Sequence, residues 1–311
     1  MIQEHPPQRT RATARKAKRA LAALFAFLPD RGGHSVRCSR YNQQATCNEL
    51  ATNTSRHLTV MDELRLLLDL HRDGPRQGPG GNRETSLAVA LSGLKGAAGL
   101  RIADIGCGTG ASTLVLAREL DAHITAVDFL PDFLERLDEA ASRPGFADRI
   151  TTLAASMESL PFAPAAYDAI WSEGAIYNLG FAAGIAAWQR FLKPGGILAV
   201  SELTWLTGQR APELQAHWET EYAEVDTASA KMAVLESLGF SPIGYFPLPE
   251  YCWLEKYYRP LQRRFPDFLA RHEHSEAARA IVAAEEEEIS LYECHKAFVS
   301  YGYYVARKTG P

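Results

Sequence analysis

Arg101-Ile-Ala-Asp-Ile-Gly-Cys-Gly-Thr-Gly110 runs without a break into Ala111-Ser-Thr-Leu-Val-Leu-Ala-Arg-Glu-Leu120. Ile102 to Ile105 is an apolar run of strand length, and Leu114, Leu116, Ala117 and Leu120 recur at helical spacing. A strand that enters a helix through glycines is expected to expose backbone N–H groups at the helix start. The missing Cβ atoms let a ligand approach the main chain closely. In an open α/β sheet that ligand lies outside the carboxyl end of the strand. The glycines fall as G-x-G-x-G with Asp104 two residues ahead of the first. That spacing differs from the G-x-G-x-x-G turn that approaches a pyrophosphate. The plain alternative is a turn that only packs a strand against a helix.

Working outward, Ile124 to Asp128 reads as a second strand ending in an acid eighteen residues after Gly110. At that place in a doubly wound sheet a carboxylate can accept both ribose hydroxyls of a nucleoside-containing ligand. Phe129 beside it either faces the base or packs. Pro131 opens a helix over Asp132 to Ala141. Ile150 to Ala155 is a third strand, followed by Ser156-Met157-Glu158. Tyr167 to Ser172 leads into a fourth strand that ends at Glu173-Gly-Ala-Ile-Tyr-Asn178. Ala182 to Phe191 forms a helix stopped by the breakers Lys193-Pro-Gly-Gly196, and Ile197 to Glu202 is the fifth strand. Upstream, Gln77-Gly-Pro-Gly80 is a loop, either a connector or a cover over the ligand, and Glu84 to Leu94 is helical. Downstream, Thr204 to Val225 is an insertion holding Trp205, His217, Trp218 and Tyr222. Asp226 caps a helix to Leu238. Ile243 to Leu248 and Phe298 to Ala306 are the last two strands. The stretch between them exceeds any hairpin loop and carries Tyr251, Trp253, Tyr257 and Tyr258, then a helix over Ser275 to Lys296.

Asp104-Ile-Gly-Cys-Gly-Thr-Gly110 resembles the first motif of class I S-adenosylmethionine-dependent methyltransferases, and Leu192-Lys-Pro-Gly-Gly196 before a strand is a further feature of that class. From about Gln77 to Lys308 the chain resembles a bacterial small-molecule branch related to the ubiquinone/menaquinone-biosynthesis type. The likeness is carried by Gln77-Gly-Pro-Gly80, Trp171-Ser-Glu-Gly-Ala-Ile-Tyr-Asn178, Ser201-Glu-Leu-Thr-Trp205, Leu248-Pro-Glu250 with Cys252-Trp253, and Tyr301-Gly-Tyr303. It implies an α/β, Rossmann-like fold: a seven-stranded, mostly parallel sheet with an antiparallel last strand and helical cap insertions at about 204–225 and 249–297. It implies S-adenosyl-L-methionine as cofactor, met by Gln77, Asp104, Gly106, Cys107, Gly108, Thr109, Gly110, Asp128, Phe129, Ser156, Met157 and Glu173. The sequence departs from the pattern in three places. No acid stands at Ser156-Met157, Gly81-Asn-Arg-Glu84 is one residue longer, and residues 1–60 have no counterpart.

Those first sixty residues hold ten Lys and Arg against Glu4, Asp30 and Glu49. With a net charge of −4 for all 311 residues, the remainder carries −11. An acidic body does not attract a polyanion by bulk charge, so no nucleic-acid partner is expected. The basic stretch reads as a disordered arm, a targeting segment, or sequence upstream of a functional start at Met61; the last is favoured, which makes 61–311 the methyltransferase domain. Five scattered cysteines (Cys38, Cys47, Cys107, Cys252, Cys294) without a C-x-x-C pair fit a reducing, cytoplasmic setting, with no metal site. His272-Glu-His274 reads as surface, and Glu285 to Glu288 as the solvated face of a helix. No stretch has the length of a membrane span. The sequence leaves open whether the chain forms a homodimer.

Methyl transfer from a sulfonium needs alignment and exclusion of water, and a base only where the acceptor must lose a proton. Glu173, Tyr177, Glu202 and His217 are the candidates at the carboxyl edge. His217 has a suitable intrinsic pKa but also reads as a surface residue beside Trp218. Trp205, Tyr177, Tyr251, Trp253 and Tyr258 are candidates for an apolar, planar or cationic acceptor, with core packing as the plain alternative. The rival functions are an RNA or protein methyltransferase using the basic arm, and a non-catalytic cofactor-binding domain. An NAD oxidoreductase fits the glycine spacing less well.

Overall fold

A computed structural model describes residues 62–142 and 145–310. The expectations for residues 1–60 lie outside the described residues, as do Cys38 and Cys47. Chain contacts divide the protein into two compact units: one takes the chain up to Leu70 with Phe265–Glu286, the other His71–Arg264 with Glu287–Pro311.

The second unit is built on a sheet. After helix α1 (Asn82–Ser92) come β1 (Leu100–Ile105), α2 (Ala111–Glu119), β2 (Ala122–Asp128), α3 (Pro131–Ala141), β3 (Ile150–Ala154), β4 (Tyr167–Glu173), α4 (Phe181–Trp188) and β5 (Leu192–Trp205). Next are α5 (Pro212–Glu221), β6 (Asp226–Thr227), α6 (Ala228–Ser237), β7 (Phe240–Pro247), α7 (Glu250–Trp253) and β8 (Val299–Lys308), while α8 (Arg259–Arg271) and α9 (Glu276–His295) each have a part in either unit. The strand order is β3-β2-β1-β4-β5-β8-β7, with β6 paired to β5 off that path. The first five strands are mutually parallel, whereas β8 runs antiparallel to both β5 and β7.

The parallel strands β1, β2, β4 and β5 are buried almost end to end, as expected of strands covered by helices on both faces. On one face Ile170, Leu198, Val200, Tyr304 and Ala306 pack with Phe181, Ile185 and Trp188 of α4 and Leu235 of α6. The register pairs Ile105 with Val127. That brings the turn after β1 and the acid ending β2 out at the same sheet edge, which is what positions the site.

Four details differ from the sequence reading. Lys193-Pro-Gly-Gly196 does not stop the chain before β5: the strand begins at Leu192 and absorbs these residues as an irregularity in its pairing with β4. Gly195 takes up the positive φ of 74° that this needs. Asp226 does not cap α6; it pairs with Thr204 in β6, and the Thr227 hydroxyl accepts from Ala230 N instead. The two-residue β6 makes eight strands where seven were expected. Glu285 is buried rather than solvated, because Ile281, Glu285 and Ile289 share one helical stripe of α9.

In the first unit, His272 does not stand free on the surface: its Nε2 lies 2.9 Å from Asp69 Oδ2, which also accepts from Arg271. Among the described residues no helix is long and apolar enough to cross a membrane.

Candidate active site

The turn between β1 and α2 is held from both sides. Gly106 N and Cys107 N donate to Val127 O at 2.8 and 2.9 Å, and Gly110 N to Cys107 O at 2.9 Å. Gly108 N donates to Asp128 Oδ2 at 2.9 Å and Thr109 N to Gln77 Oε1 at 3.1 Å. The N–H groups from Gly106 to Gly110 all donate within the chain, contrary to the expectation that the turn presents them to a ligand. This is not a phosphate cradle, which needs free donors. The glycines let neighbouring side chains pack directly on the main chain. Gly106 and Gly108 have φ of 73° and 55°. A Cβ on Gly106 would lie 2.3 Å from the Ala175 methyl, and one on Gly108 would lie 2.6 Å from Gln77 Oε1. Gly106 excludes a side chain by conformation and by space, and Gly108 by conformation, since its neighbour is the movable end of Gln77.

Asp128, half-buried at the end of β2, accepts one backbone N–H on each oxygen, from Gly108 and from Leu130 at 3.0 Å. A carboxylate oxygen takes more than one donor, so both keep capacity for a further hydroxyl. Gln77 reaches the turn from a distant loop. Its Oε1 accepts from Thr109 N and Oγ1, and its Nε2 donates to Gly74 O at 3.2 Å. The loop before α1 is therefore fastened to the glycine turn through one amide.

Asp104 sits fully buried beneath the turn. Its Oδ2 accepts from Ser112 at 2.8 Å and Thr113 at 2.6 Å, both in the first turn of α2, while Oδ1 makes no hydrogen bond. Burial pushes its carboxyl up to about 7. The sequence placed Asp104 against the cofactor; in the structure its bonds go to the helix start. Burial likewise pushes the Cys107 thiol well up, which leaves it un-ionised at neutral pH.

Glu173, at the end of β4, gathers the densest set of contacts. Oε2 accepts from Arg76 Nη1 at 2.9 Å; Oε1 accepts from Thr85 at 2.7 Å, Tyr303 at 2.9 Å and Trp171 Nε1 at 3.2 Å. Side-chain exposures of 10% for Arg76 and 7% for Glu173 make this an enclosed ion pair. With four donors on its two oxygens and little exposure, the Glu173 carboxylate is committed to holding these partners together. Arg76 and Thr85 escaped the sequence reading, and Tyr303 entered it only within Tyr301-Gly-Tyr303 without a site role, because the three come from separate elements. The hints available were that motif and the adjacency of Arg76 to Gln77.

The remaining residues separate. The Ser156 hydroxyl accepts from Glu158 N at 3.3 Å, and Met157 is buried with its carbonyl accepting from Trp188 Nε1 at 3.0 Å. Phe129 is half-buried beside Asp128. Tyr177, 39% exposed, follows the end of β4 and meets Tyr222 edge to face at 6.1 Å. His217 lies on α5 with its ring against Trp218. Four acceptor candidates have their polar or charged partners inside the protein. The Trp253 Nε1 donates to Ser300, the Tyr258 hydroxyl to Glu288, and the Tyr251 hydroxyl to Glu84, while Arg210 stacks on Trp205. Trp253 and Tyr258 also pack with Tyr292 as core, the plain alternative.

The chain is similar to known proteins over the stretch that builds the sheet. A family model described as a methyltransferase domain matches residues 102–196, the stretch from β1 into β5. The chain is 28% identical over 155 residues to O-methyltransferase rstn1 of Aspergillus nomiae, covering 49% of this chain and 69% of that protein. It is 29% identical over 147 residues to a malonyl-[acyl-carrier protein] O-methyltransferase of Dechloromonas aromatica, covering 47% of this chain and 53% of that one. The chain thus spans only about half the length of the second relative. Among solved structures, a SAM-dependent methyltransferase from Geobacter sulfurreducens, in complex with S-adenosyl-L-homocysteine, superposes with a TM-score of 0.70 at 19% identity, covering 78% of this chain and 98% of that one.

Proposed function

We propose that this chain, a class I S-adenosylmethionine-dependent methyltransferase, moves a methyl group to a small-molecule acceptor over the carboxyl edge of β4 and β5. The domain that does so is residues 61–311, with insertions at about 204–225 and 249–297. The reading is carried by one observation: a glycine turn whose N–H groups are all occupied within the chain, flanked by a carboxylate with spare acceptor capacity. Such a site suits a ligand with a ribose and no phosphate at the turn, which S-adenosylmethionine is and a dinucleotide is not.

When bound, S-adenosylmethionine supplies an electrophilic methyl group on a sulfonium. Asp128 would accept from the ribose hydroxyls, and Phe129, Ser156 and Met157 would border the base. The Glu173–Arg76 pair would hold the loop of Gln77 toward the turn, beside the amino-acid end of the cofactor. Tyr177 is the exposed aromatic at this edge and the first contact for an acceptor. The names of the two relatives favour a small or carrier-bound acid or hydroxyl compound as acceptor.

The test is calorimetry on the full chain with S-adenosylmethionine, S-adenosylhomocysteine and NAD, followed by a screen of small metabolites with labelled cofactor. Binding of the first two but not NAD, with release of S-adenosylhomocysteine in the presence of an acceptor, is the expected result. No heat with either sulfur compound, or binding without turnover on any acceptor, rejects it.

A further inference from the structure

At the carboxyl end of β5, on the face packed by α4 and α6, lies a group of ionisable side chains that cofactor binding does not use. Glu202 has a fully buried side chain whose carboxylate faces the Tyr222 hydroxyl and the Leu203 backbone N–H, neither in full hydrogen-bond geometry. Lys231 of α6, 3% exposed, holds Nζ 3.9 Å from Glu202 Oε1, too far for a direct hydrogen bond. The same ammonium lies over the rings of Phe181 at 4.5 Å and Tyr222 at 5.2 Å. The half-buried Tyr222 has its hydroxyl turned toward Glu202 and 3.5 Å from Glu224. Glu224 is otherwise engaged, accepting from Phe181 N at 2.8 Å where α4 begins.

This group connects to the site. The Tyr222 ring meets the exposed Tyr177, and Tyr177 stands two residues after Ala175, whose methyl covers Gly106. The segment Ala175 to Tyr177 therefore runs from the glycine turn to the Tyr177–Tyr222 ring pair, and the Tyr222 hydroxyl faces the buried carboxylate. A purely structural ion pair this deep would be expected to close to direct hydrogen bonds, since an unmatched buried carboxylate is costly. Here it is held short of that. Burial pushes the Glu202 carboxyl up to about 7 and lowers Lys231. The other groups facing the pair are Glu224, Asp226 of β6, and the phenols of Tyr301 and Tyr304; the Tyr304 hydroxyl is tied to Thr204 at 2.8 Å.

We infer that Glu202, acting through Tyr222, takes the proton from an acceptor hydroxyl as it is methylated, and that Lys231 sets the pH at which this route opens. The inference rests on the methyl-transfer reading above. The acceptor oxygen forms the new C–O bond while the C–S bond breaks and leaves its electron pair on sulfur. The acceptor proton passes to the Tyr222 oxygen as the Tyr222 proton moves to the Glu202 carboxylate, so charge and atoms balance and nothing is oxidised or reduced. A hydroxyl acceptor needs such a route more than an amine, which can be methylated first and lose its proton to water afterwards.

Two measurements on the full chain test it. In carbon-detected NMR with ¹³C-labelled glutamate and S-adenosylhomocysteine present, one carboxyl should titrate near 7 and be missing in Glu202→Gln. It should move about one pH unit higher in Lys231→Met, which loses the neighbouring cation, and stay in Lys231→Arg. Titration of Glu202 in the ordinary carboxylate range overturns the inference. With a panel of simple phenols and hydroxy acids, kcat should fall on the acid side near pH 7. Glu202→Gln should lower kcat roughly 100-fold with acceptor KM within about threefold, Glu202→Asp should recover part of it, and Tyr222→Phe should fall similarly to Glu202→Gln. Unchanged kcat in Glu202→Gln or Tyr222→Phe overturns the inference, as does normal cofactor binding with no hydroxyl acceptor turned over. Loss of cofactor binding in the wild type would instead reject the methyl-transfer reading. If Glu202→Gln fails to fold, Tyr222→Phe and the Lys231→Met titration decide.

Discussion

Asp128 acts on the turn before it acts on any ligand, because its two oxygens hold Gly108 N and Leu130 N. Asp128→Ala should therefore weaken S-adenosylmethionine binding by about 2 kcal/mol or more, counting lost ribose contacts and a loosened turn, whereas Asp128→Asn should retain part of it. Calorimetry on both variants checks this. Glu173→Gln leaves the enclosed Arg76 guanidinium without its counter-charge, and breaking such a pair costs roughly 3–5 kcal/mol. Urea melts should show that loss, with Glu173→Asp intermediate. Asp104 gives a pH signature of opposite sign to the usual carboxylate. Its folded value of about 7 lies above its ordinary 3.8, so the folded chain keeps a proton that the unfolded chain releases. This stability is present below pH 3.8 and is lost as pH rises to about 7. Asp104→Asn should flatten that decline in melts at pH 5 and pH 7.5. The residue types of the cofactor side were legible at this scale, since G-x-G-x-G and a strand-end acid are local patterns. Their bonding was not. That every N–H of the turn is internally matched depends on Val127, Asp128 and Gln77 arriving from elsewhere.

At the scale of elements, strand and helix identity followed the apolar period, and misreadings cluster where a neighbour supplies the deciding bond. Asp226 is as good a helix cap as Thr227 in isolation. Pairing of Thr204 with Asp226 draws the acid into β6 and passes the cap to Thr227. Thr227→Ala should accordingly destabilise by about 1 kcal/mol, and Asp226→Ala by less; thermal melts would separate them. The breakers at Lys193 to Gly196 lie inside β5 because Tyr167 of β4 pairs with Leu192 ahead of them. The acid run at Glu285 to Glu288 has no sequence mark separating its buried member from the exposed ones. Its place on the stripe of Ile281 and Ile289 separates them. Between α7 and α8 the helix widens into a π turn over Leu254–Tyr258, placing Tyr257 and Tyr258 side by side at 5.1 Å, a feature with no periodic signal.

For the whole molecule, a ligand that binds only the folded state stabilises it, by about 2.7 kcal/mol at one hundred times its Kd. S-adenosylhomocysteine at that excess should raise Tm by roughly 5 °C, and NAD should not; a thermal shift measurement reads both. The basic residues 1–60 bear on the rival RNA reading, which requires RNA affinity that falls steeply with salt; filter binding on the full chain at low and moderate salt should show none. By itself the sequence determined the alternation of strands and helices, the glycine turn and the acid of the next strand, because each is encoded within a few consecutive residues. Only the tertiary structure decided which groups face one another: Arg76 on Glu173, Gln77 on Thr109, and Lys231 held 3.9 Å from Glu202. The reason is physical. Short-range pattern reflects local backbone preference and burial. The partner of a buried charge is chosen by chain segments far apart in sequence, where the cost of leaving that charge unmatched selects the arrangement.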